Sequence, residues 1–468
     1  MPTADRPDRP GGGAIVRTLV ARLREQIAAG VLPPGTRLMS IRRAATHFGV
    51  SKNTIVEVYD RLVASGHAVA RAGSGFVAAV PPEPDAGDRP RHVAEAVDIA
   101  SLLAAQLDQV FDIRVGDGRP PPSWTEQSEI RRHLSAPGRL LPEASAAYGS
   151  ALGFLPMRRQ IVRRLAAREV AAGEDNVLLT FGANHALDLI VRATVAAGDT
   201  VLVDEPGYYP LFAKLKLAQV RMVGVRRNPD GPDIADLTAK LAAERPKAFF
   251  TQSLGHNPTG GSIALPVAHA VLTATARHNV LVVEDDPFAD LATTGDNRLV
   301  RLDQLNNVLS VGTFSKTLSA SLRSGYIAGR ADRITALAEL KMLTTVNSSG
   351  HVERLLHGLL AEGHYDRHLK RLARRIAAAS EAMLGRLAQA RWRTFSADTG
   401  GGYYLYLMLP DGIDDIEVAR LGAKEGIFIA PGSVFCLDKR SPVARGLRIN
   451  VAWADDPRFY DFLLRRFT

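Results

Sequence analysis

The spacing of hydrophobic residues changes along this 468-residue chain. Near the N-terminus, Ile15, Leu19, Leu23 and Ile27 recur at helical spacing, and the pattern stops at Gly30. Further on, helical patterns alternate with short apolar runs rich in β-branched residues. These runs lie at 176–180, 200–203, 248–251, 280–283 and 308–311. The pattern predicts a small helical N-terminal domain followed by a large α/β domain.

The short apolar runs predict a mostly parallel sheet with helices on both of its faces. They do not alternate with polar residues, as is typical of strands that are buried on both sides. In sheets of this kind, ligands bind at the carboxyl ends of the strands. Most of the polar residues considered below come directly after one of the runs, so we expect them to form one site.

The N-terminal region has the pattern of a helix-turn-helix followed by a β-hairpin. Ser40 and Ser51 stand where side chains cap the first turns of a second and a third helix. Two strand-like pieces follow within 67–77, about a turn at Gly73 and Gly75. A helix, a short turn and a capped helix form the helix-turn-helix pattern, and the hairpin is then its wing.

This region resembles the winged helix-turn-helix domain of GntR-type transcription regulators. The resemblance lies in 35–42, 50–55 and 73–76, with Met39 where that family usually has proline. It implies that the third helix enters the major groove of DNA with its N-terminus first. The residues expected near bases or phosphates are Ser51, Lys52, Asn53 and Thr54, with Arg42, Arg43 and Arg71 on the DNA backbone. The alternative is a small helical bundle whose basic residues form a solvated face.

A segment rich in proline and charged residues, from Pro81 to Pro90, separates the two regions. Such a composition is typical of an exposed, semi-rigid linker. The sequence therefore predicts a DNA-binding domain over 14–80, a linker over 81–99 and a large domain over 100–468.

Lys316 follows the last of the apolar runs, beside the hydroxyl residues Thr313 and Ser315, and Arg323 comes shortly after it. A lysine that loses its proton easily forms a Schiff base with an aldehyde. The hydroxyl groups and the guanidinium together can hold a phosphate dianion beside it. An aldehyde that carries a phosphate is pyridoxal 5′-phosphate (PLP). The alternative is a strand-to-helix turn with an ordinary surface lysine and arginine.

A second group of phosphate contacts is predicted where the run at 176–180 ends. A tight glycine turn opens a helix there, and a helix N-terminus offers free N–H groups and the positive end of a dipole. The residues that would cradle the phosphate are Gly182, Ala183 and Asn184. A simple strand-to-helix turn has the same pattern.

The order of these segments resembles the PLP domain of fold-type-I aminotransferases over nearly all of 100–468. The resemblance makes the lysine the Schiff-base residue. It implies that Tyr208 stacks on the pyridine ring and that Asn257 donates to the phenolic oxygen. It also implies that Asp285 pairs with the ring nitrogen and keeps it protonated, with Asp286 as the alternative.

Three further residues take their roles from the same resemblance. Phe288 stands where the family often has a tyrosine that donates to the phenolate, so its presence disfavours turnover more than cofactor binding. Arg448 matches the arginine that clamps an amino-acid carboxylate, with a surface arginine as the alternative. Tyr148 matches a tyrosine that reaches the phosphate of the neighbouring subunit, which implies a dimer with shared sites.

Composition narrows the class of protein further. The hydrophobic fraction is 46%, and no apolar run reaches the ~18 residues that a membrane span needs. The first residues have no apolar signal core, and the single cysteine, Cys436, cannot form an internal disulfide. We therefore expect a cytoplasmic protein without a membrane partner. The net charge of +9 agrees with binding to a polyanion, given the DNA-binding pattern.

A GntR-type domain joined to an aminotransferase-like domain is the architecture of the MocR subfamily of bacterial regulators, which this chain resembles. The resemblance implies a PLP-dependent transcription regulator that binds promoter DNA as a head-to-tail homodimer. It would sense an amine, an amino acid or PLP itself through aldimine chemistry at Lys316.

Two other functions stay open at this point. One is an active PLP-dependent aminotransferase with an accessory DNA-binding domain, which Phe288 and the basic N-terminal domain disfavour. The other is a DNA-binding protein whose large domain has lost PLP, which the intact Lys316 disfavours. No metal site is predicted.

Overall fold

The computed structural model divides into two compact units, Met1–Pro90 and Arg91–Thr468. The predicted linker, 81–99, lies almost entirely outside the residues that it describes. The described residues are 12–28, 32–71, 75–79, 92–93, 111–125, 128–135, 147–288, 290–291 and 296–467.

Three helices and a β-hairpin form the small unit, in the predicted order. Its elements are α1 (Gly12–Ala28), α2 (Ile41–Phe48), α3 (Lys52–Ala64), β1 (Ala68–Arg71) and β2 (Gly75–Ala78), the two strands being antiparallel. The hydroxyl oxygens of Ser40 and Ser51 accept hydrogen bonds from the backbone N–H groups of Arg43 and Thr54, so both predicted caps are present. The first two residues of the predicted hairpin turn, Gly73 and Ser74, fall outside the described residues, whereas Gly75 begins β2.

The core of the small unit comes from one face of each long helix. Leu19 and Leu23 of α1 pack in one cluster with Ile55, Val58 and Leu62 of α3. These residues recur every three or four positions, so each helix presents one apolar stripe to the other. Burial of the two stripes holds α3 in place and leaves its N-terminus at the surface.

An eight-stranded sheet organises the large unit. In space its strands follow the order β3-β10-β9-β8-β7-β4-β5-β6. The strands are β3 (Val177–Thr180), β4 (Thr200–Glu205), β5 (Arg221–Asn228), β6 (Gly231–Pro232), β7 (Ala248–Thr251), β8 (Leu281–Asp286), β9 (Val308–Thr313) and β10 (Gly325–Ala328). All neighbours from β9 to β5 are parallel, whereas β10 is antiparallel to β3 and β9, and β6 to β5. The predicted mostly parallel α/β sheet is therefore confirmed.

Helices cover both faces of this sheet. Along β4, Leu202 belongs to the core on one face, whereas Val201 and Val203 belong to the core on the other. Burial on both faces explains why the strands are apolar throughout. The helices of the large unit are α4 (Ser128–Leu134), α5 (Leu155–Ala166), α6 (Ala183–Thr194), α7 (Tyr209–Leu217), α8 (Ile234–Glu244), α9 (Leu265–Arg277), α10 (Leu299–Asp303), α11 (Ala331–Thr345), α12 (Gly350–Ala361), α13 (His364–Gln389), α14 (Asp415–Lys424) and α15 (Pro457–Phe467).

A second, antiparallel sheet follows α13, and the sequence patterns did not predict it. Its order is β11-β12-β14-β13. The strands are β11 (Arg393–Thr394), β12 (Tyr404–Met408), β13 (Ala430–Pro431) and β14 (Gly446–Asn450). One core cluster joins its Leu405 and Leu407 to Phe459 and Phe462 of α15. Among the described residues, no helix has the length and apolar character that crossing a bilayer requires.

Candidate functional site

Polar residues converge where the parallel strands of the large sheet end. Tyr208 follows β4, Gln252 follows β7, Asp285 stands near the end of β8, and Lys316 follows β9. Because parallel strands end at the same edge of a sheet, these residues meet although they are far apart in the chain. Tyr208, Gln252 and Asp285 line one small cavity at this edge.

Lys316 is half-buried just beyond β9. Its Nζ donates a hydrogen bond to the carbonyl oxygen of Gly118, and the hydroxyl of Tyr404 donates to the same oxygen at 2.8 Å. Burial and then the nearby charge of Arg448 lower the pKa of Lys316 to about 8. A fraction of this amine is therefore unprotonated near neutral pH, as reaction with an aldehyde requires.

The three consecutive acids of β8 have different surroundings. Glu284 accepts hydrogen bonds from two backbone N–H groups at the start of α10, and Asp286 pairs with Arg298. Asp285 instead accepts from the side-chain amide of Gln252 at 2.8 Å, and its Oδ1 has no hydrogen-bond partner among the described residues. Burial raises the pKa of Asp285 to about 7. Oδ1 of Asp286 also lacks a partner among the described residues, but of the three acids only Asp285 lines the cavity.

Arg448, on β14, is buried beside the same edge of the sheet, so it is not the surface arginine of the alternative interpretation. Its NH1 donates to Oδ1 of Asn257 at 3.0 Å, and its NH2 donates to the carbonyl oxygen of Gly116 at 2.5 Å. The guanidinium carbon lies 5.1 Å from the ring centre of Tyr404 and 5.0 Å from that of Phe435. A buried, planar guanidinium of this kind suits a carboxylate ligand.

Gln252 joins these groups, and sequence reasoning missed it. Its side-chain amide donates to Asp285, and its side-chain oxygen accepts from the backbone N–H of Asn257 at 2.7 Å. Its own backbone is held by Asp204, which accepts from the N–H at 3.2 Å, and by Arg227, which donates to the carbonyl oxygen at 2.8 Å. The signal that could have found it is its place directly after β7.

Asp204, Arg227 and His256 form a buried group next to Gln252. Oδ2 of Asp204 lies 2.9 Å from NH1 of Arg227 and 3.4 Å from Nε2 of His256. Although burial raises it, the pKa of Asp204 is lowered on balance by the charge of Arg227. Burial and the same guanidinium lower the pKa of His256 to about 4. The Asp204–Arg227 ion pair therefore anchors the backbone of Gln252 while His256 stays neutral.

The residues predicted to hold a phosphate lie at the start of α6. Gly182 is the N-cap residue, with a φ of 81° that favours glycine. NH2 of Arg323 donates to the carbonyl oxygen of Phe181 at 3.2 Å and lies 3.3 Å from where a Cβ at position 182 would stand. Ala183 and Asn184 form the first turn of the helix. The helix N-terminus and the guanidinium are thus brought together, as an anion site requires.

Of the two predicted hydroxyl groups, that of Thr313 lies on the last residue of β9 and that of Ser315 on the loop that leads from β9 to Arg323. Oγ1 of Thr313 is 3.1 Å from Oγ of Ser315 and 3.3 Å from the carbonyl oxygen of Ser324. The backbone N–H of Ser315 also donates to Oγ1 of Thr313, at 3.2 Å. These hydrogen bonds fix the loop that carries both Lys316 and Arg323.

The three predicted aromatic residues have different surroundings. Tyr208 lines the cavity next to Asp285, and burial raises the pKa of its hydroxyl. Phe288 is buried, with its ring 5.4 Å from that of Tyr403 and 5.7 Å from that of Tyr404, centre to centre. Tyr148 is 88% exposed, so its side chain does not join this buried group within its own chain.

On the small unit, four of the residues predicted to contact DNA, Ser51, Lys52, Asn53 and Thr54, lie at the N-terminus of α3. Lys52 and Asn53 are exposed in its first turn. The hydroxyl groups of Ser51 and Thr54 contact each other at 2.8 Å, so they are engaged in the cap. The arginines predicted to reach the DNA backbone are also exposed: Arg42, Arg43 and Arg71.

Two family models match this chain. Residues 115–459 match aminotransferases of class I and II, and residues 15–77 match bacterial regulatory proteins of the gntR family. The uncharacterized HTH-type transcriptional regulator YdcR of Escherichia coli (strain K12) is 28% identical over 450 residues, covering 93% of this chain and 94% of that protein. The probable rhizopine catabolism regulatory protein MocR of Rhizobium meliloti is 27% identical over 441 residues, covering 91% of this chain and 87% of that protein.

Similar solved structures are aminotransferases. LysN, the α-aminoadipate aminotransferase of Thermus thermophilus, is 25% identical, with a TM-score of 0.69, covering 76% of this chain and 92% of that one. The kynurenine aminotransferase of Pyrococcus horikoshii is 23% identical, with a TM-score of 0.73, covering 81% and 97%. At 23% identity, the kynurenine aminotransferase supports only the fold. Both agree with the fold-type-I architecture expected from the order of the motifs.

Proposed function

Since this chain belongs to the aminotransferase class I and II family and carries a GntR-type domain before it, we propose that it is a PLP-dependent transcription regulator of the MocR type. One observation supports the proposal above all: the same chain carries a DNA-binding pattern and a PLP-binding pattern. Lys52 is exposed at the N-terminus of α3, whereas Lys316 is half-buried in the large unit and has a lowered pKa. Relatives named as regulators match 91% and 93% of this chain, across both domains.

The aminotransferase family depends on PLP, and the residues at the edge of the large sheet fit that cofactor. Asp285 has a buried carboxylate oxygen without a partner among the described residues, suited to a protonated ring nitrogen. Arg323 and the N-terminus of α6 would hold the phosphate, Asn257 the phenolic oxygen, and Lys316 the aldehyde carbon. When bound, PLP supplies an aldehyde that reacts reversibly with primary amines and a ring that withdraws electrons.

The surroundings of Lys316 favour a reactive and well-oriented amine. Burial disfavours its charged form, and the carbonyl oxygen of Gly118 accepts a hydrogen bond from Nζ and so directs it. The hydroxyl of Tyr403 donates to the backbone carbonyl of Lys316 at 2.8 Å. The backbone and the amine are therefore both held before any ligand arrives.

The effector that fits this site carries an amine and a carboxylate. The guanidinium of Arg448 is buried near Lys316, and its positive charge lowers the pKa of that lysine. A carboxylate there would compete with Asn257 and Gly116 for the same donors. An effector regulates only if it interacts differently with two states of the protein, and rearrangement of these buried hydrogen bonds provides such a difference.

An active aminotransferase is the second candidate function. Lys316, Asp285 and Arg448 are all present and close to the same edge of the sheet, which favours it. Phe288 provides no hydroxyl, which disfavours rapid turnover. The two functions differ in whether DNA binding responds to the effector.

The test is a salt-titrated binding assay with DNA from the region upstream of the protein's own gene, compared with random DNA. A regulator binds its own DNA more tightly, with a steep salt dependence that PLP or an added amine changes. Lys316→Ala should bind the DNA but no longer respond, while the exposed Lys439→Ala responds normally. Equal binding to random DNA, together with rapid conversion of an amino donor to its keto acid, would favour the enzyme.

Cofactor binding has its own test. Borohydride should fix PLP covalently to the peptide that contains Lys316, as mass spectrometry detects, and Lys316→Ala should lose this product. Fixation that persists in Lys316→Ala would contradict the assignment of this lysine.

A further inference from the structure

Four side chains converge outside the cofactor site, at a junction of three helices of the large unit. Glu129 and His133 lie one turn apart on α4, whereas Glu362 and His364 flank Gly363 between α12 and α13. Gly363 has a φ of 69°, which lets the chain turn sharply between the two helices. We propose that His133, His364 and Glu362 bind a divalent transition-metal cation, of which Zn²⁺ is the first candidate.

The imidazole of His133 has the arrangement of a metal ligand. Its side chain is 4% exposed, and its Nδ1 lies 2.9 Å from the carbonyl oxygen of Glu129. Because a carbonyl oxygen only accepts, Nδ1 carries the proton, and Nε2 of the neutral ring keeps its lone pair. Nε2 is buried and has no hydrogen-bond partner within the described part of the chain. Histidines that bind metals typically donate in this way through the other ring nitrogen.

The distances from the carboxylate of Glu362 to the two imidazoles are close to those expected around a tetrahedral cation. Ligand atoms about 2.0–2.1 Å from Zn²⁺ lie roughly 3.3 Å from one another. Oε2 of Glu362 lies 3.6 Å from Nε2 of His133 and 3.1 Å from Nε2 of His364. One ligand atom from each residue lies within 4.8 Å of the others. Two imidazoles and one carboxylate leave the fourth position for water, a common arrangement for zinc.

Glu129 supports the same arrangement without binding the cation. Its Oε2 lies 3.5 Å from Nδ1 of His364. When Nε2 of His364 binds a metal, Nδ1 carries the proton, and a carboxylate at this place accepts it. The carboxylate of Glu129 would then orient the ring of His364, just as the carbonyl oxygen of Glu129 orients the ring of His133.

Two arginines provide the positive charge beside these acids. Arg132 lies 3.4 Å from Glu129 and 3.6 Å from Glu362, and its NH2 lies 3.4 Å from Nε2 of His364. NH2 of Arg367 donates to Nδ1 of His364 at 2.6 Å. The contacts of Arg132 are longer than the ~2.7–2.9 Å of strong charge-assisted hydrogen bonds. Its side chain is 61% exposed, and Arg367 is exposed as well. Both can turn into solvent when a cation enters. Arg132 competes with the metal for the acids and for Nε2 of His364, and Arg367 leaves Nδ1 of His364 so that this nitrogen can carry the proton.

This competition gives the proposal a test that a plain ion-pair cluster would not pass. Full-length protein without a tag is treated with a chelator, dialysed, and titrated with ZnCl₂ by calorimetry. The wild type should bind one equivalent of Zn²⁺. Glu362→Gln, which removes one charge at an exposed position, should weaken binding by more than about 10-fold, and Arg132→Gln should strengthen it. His278→Gln, an exposed histidine at the end of α9, should bind as the wild type does.

His133→Gln should also lose the site, with circular dichroism to confirm that the buried substitution leaves the fold intact. Glu362→Gln serves as the decisive variant if His133→Gln does not fold. Absence of saturable binding in the wild type would overturn the proposal. Zn²⁺ binding that is unchanged in Glu362→Gln would also overturn it, because the ion would then bind elsewhere.

Discussion

Arg448 donates a hydrogen bond to Asn257 at 3.0 Å, although the two residues are 191 positions apart in the chain. The backbone N–H of Asn257 donates to Gln252, and the amide of Gln252 donates to Asp285. Residues predicted to bind a carboxylate, a phenolic oxygen and a ring nitrogen are therefore connected by hydrogen bonds. A ligand that breaks one of these hydrogen bonds therefore also affects the residues that the other bonds connect.

Arg448→Lys should shift the response to an amino-acid effector to higher effector concentrations while PLP still binds. A lysine keeps the charge but cannot donate to both Asn257 and Gly116 in the geometry of a guanidinium. Loss of one hydrogen bond from a charged group costs about 1.5–3 kcal/mol, so effector binding should weaken at least about 10-fold. Effector titrations followed by DNA binding would measure this, with the exposed Arg445→Lys as control. Equal effector affinity in both variants would contradict the role of Arg448.

The rate at which the cofactor-free protein captures PLP should rise with pH and have its midpoint near the pKa of Lys316, about 8. The neutral amine is the reactive form, and its fraction grows as pH rises through this value. The charge of Asp285 raises the pKa of Lys316, so Asp285→Asn should move the midpoint to lower pH. Stopped-flow absorbance over a range of pH would measure both. A midpoint near the ~10.4 of an ordinary lysine would show that the amine is not perturbed.

Gln252→Leu should weaken PLP binding roughly 30-fold, because Asp285 loses a donor and the N–H of Asn257 loses its acceptor, each hydrogen bond being worth about 1 kcal/mol. Spectroscopic titration with PLP would measure the affinity. Thermal unfolding without PLP separates this effect from a general loss of stability. Gln389→Leu, an exposed site at the end of α13, is the matched control and should bind PLP normally.

Lys52→Ala should weaken binding to specific and random DNA alike and reduce the slope of log affinity against log salt by about 1, as expected for one lost phosphate contact. Arg61 lies on the same helix but pairs with Glu57 at 2.8 Å, so Arg61→Ala should leave the slope unchanged. Fluorescence anisotropy at several salt concentrations would measure the slopes. Equal slopes for Lys52→Ala and the wild type would place α3 away from the phosphates.

Local patterns were sufficient for most of the helices and strands. The serine caps of α2 and α3 and the parallel strands are present as predicted, because capping and apolar periodicity depend on neighbours in sequence. The second sheet was missed, since its strands are short and pair with partners far along the chain.

The sequence by itself determined the two-domain order, the caps, the buried strands and the lysine that follows β9, all of which follow from short-range spacing. It could not determine which of three adjacent acids faces the cavity. Tertiary structure decided this, because the pairing of β8 with its neighbours directs Asp286 to Arg298 and Asp285 to Gln252. The cluster of His133, Glu362 and His364 likewise exists only after packing, since helices distant in sequence supply its ligands.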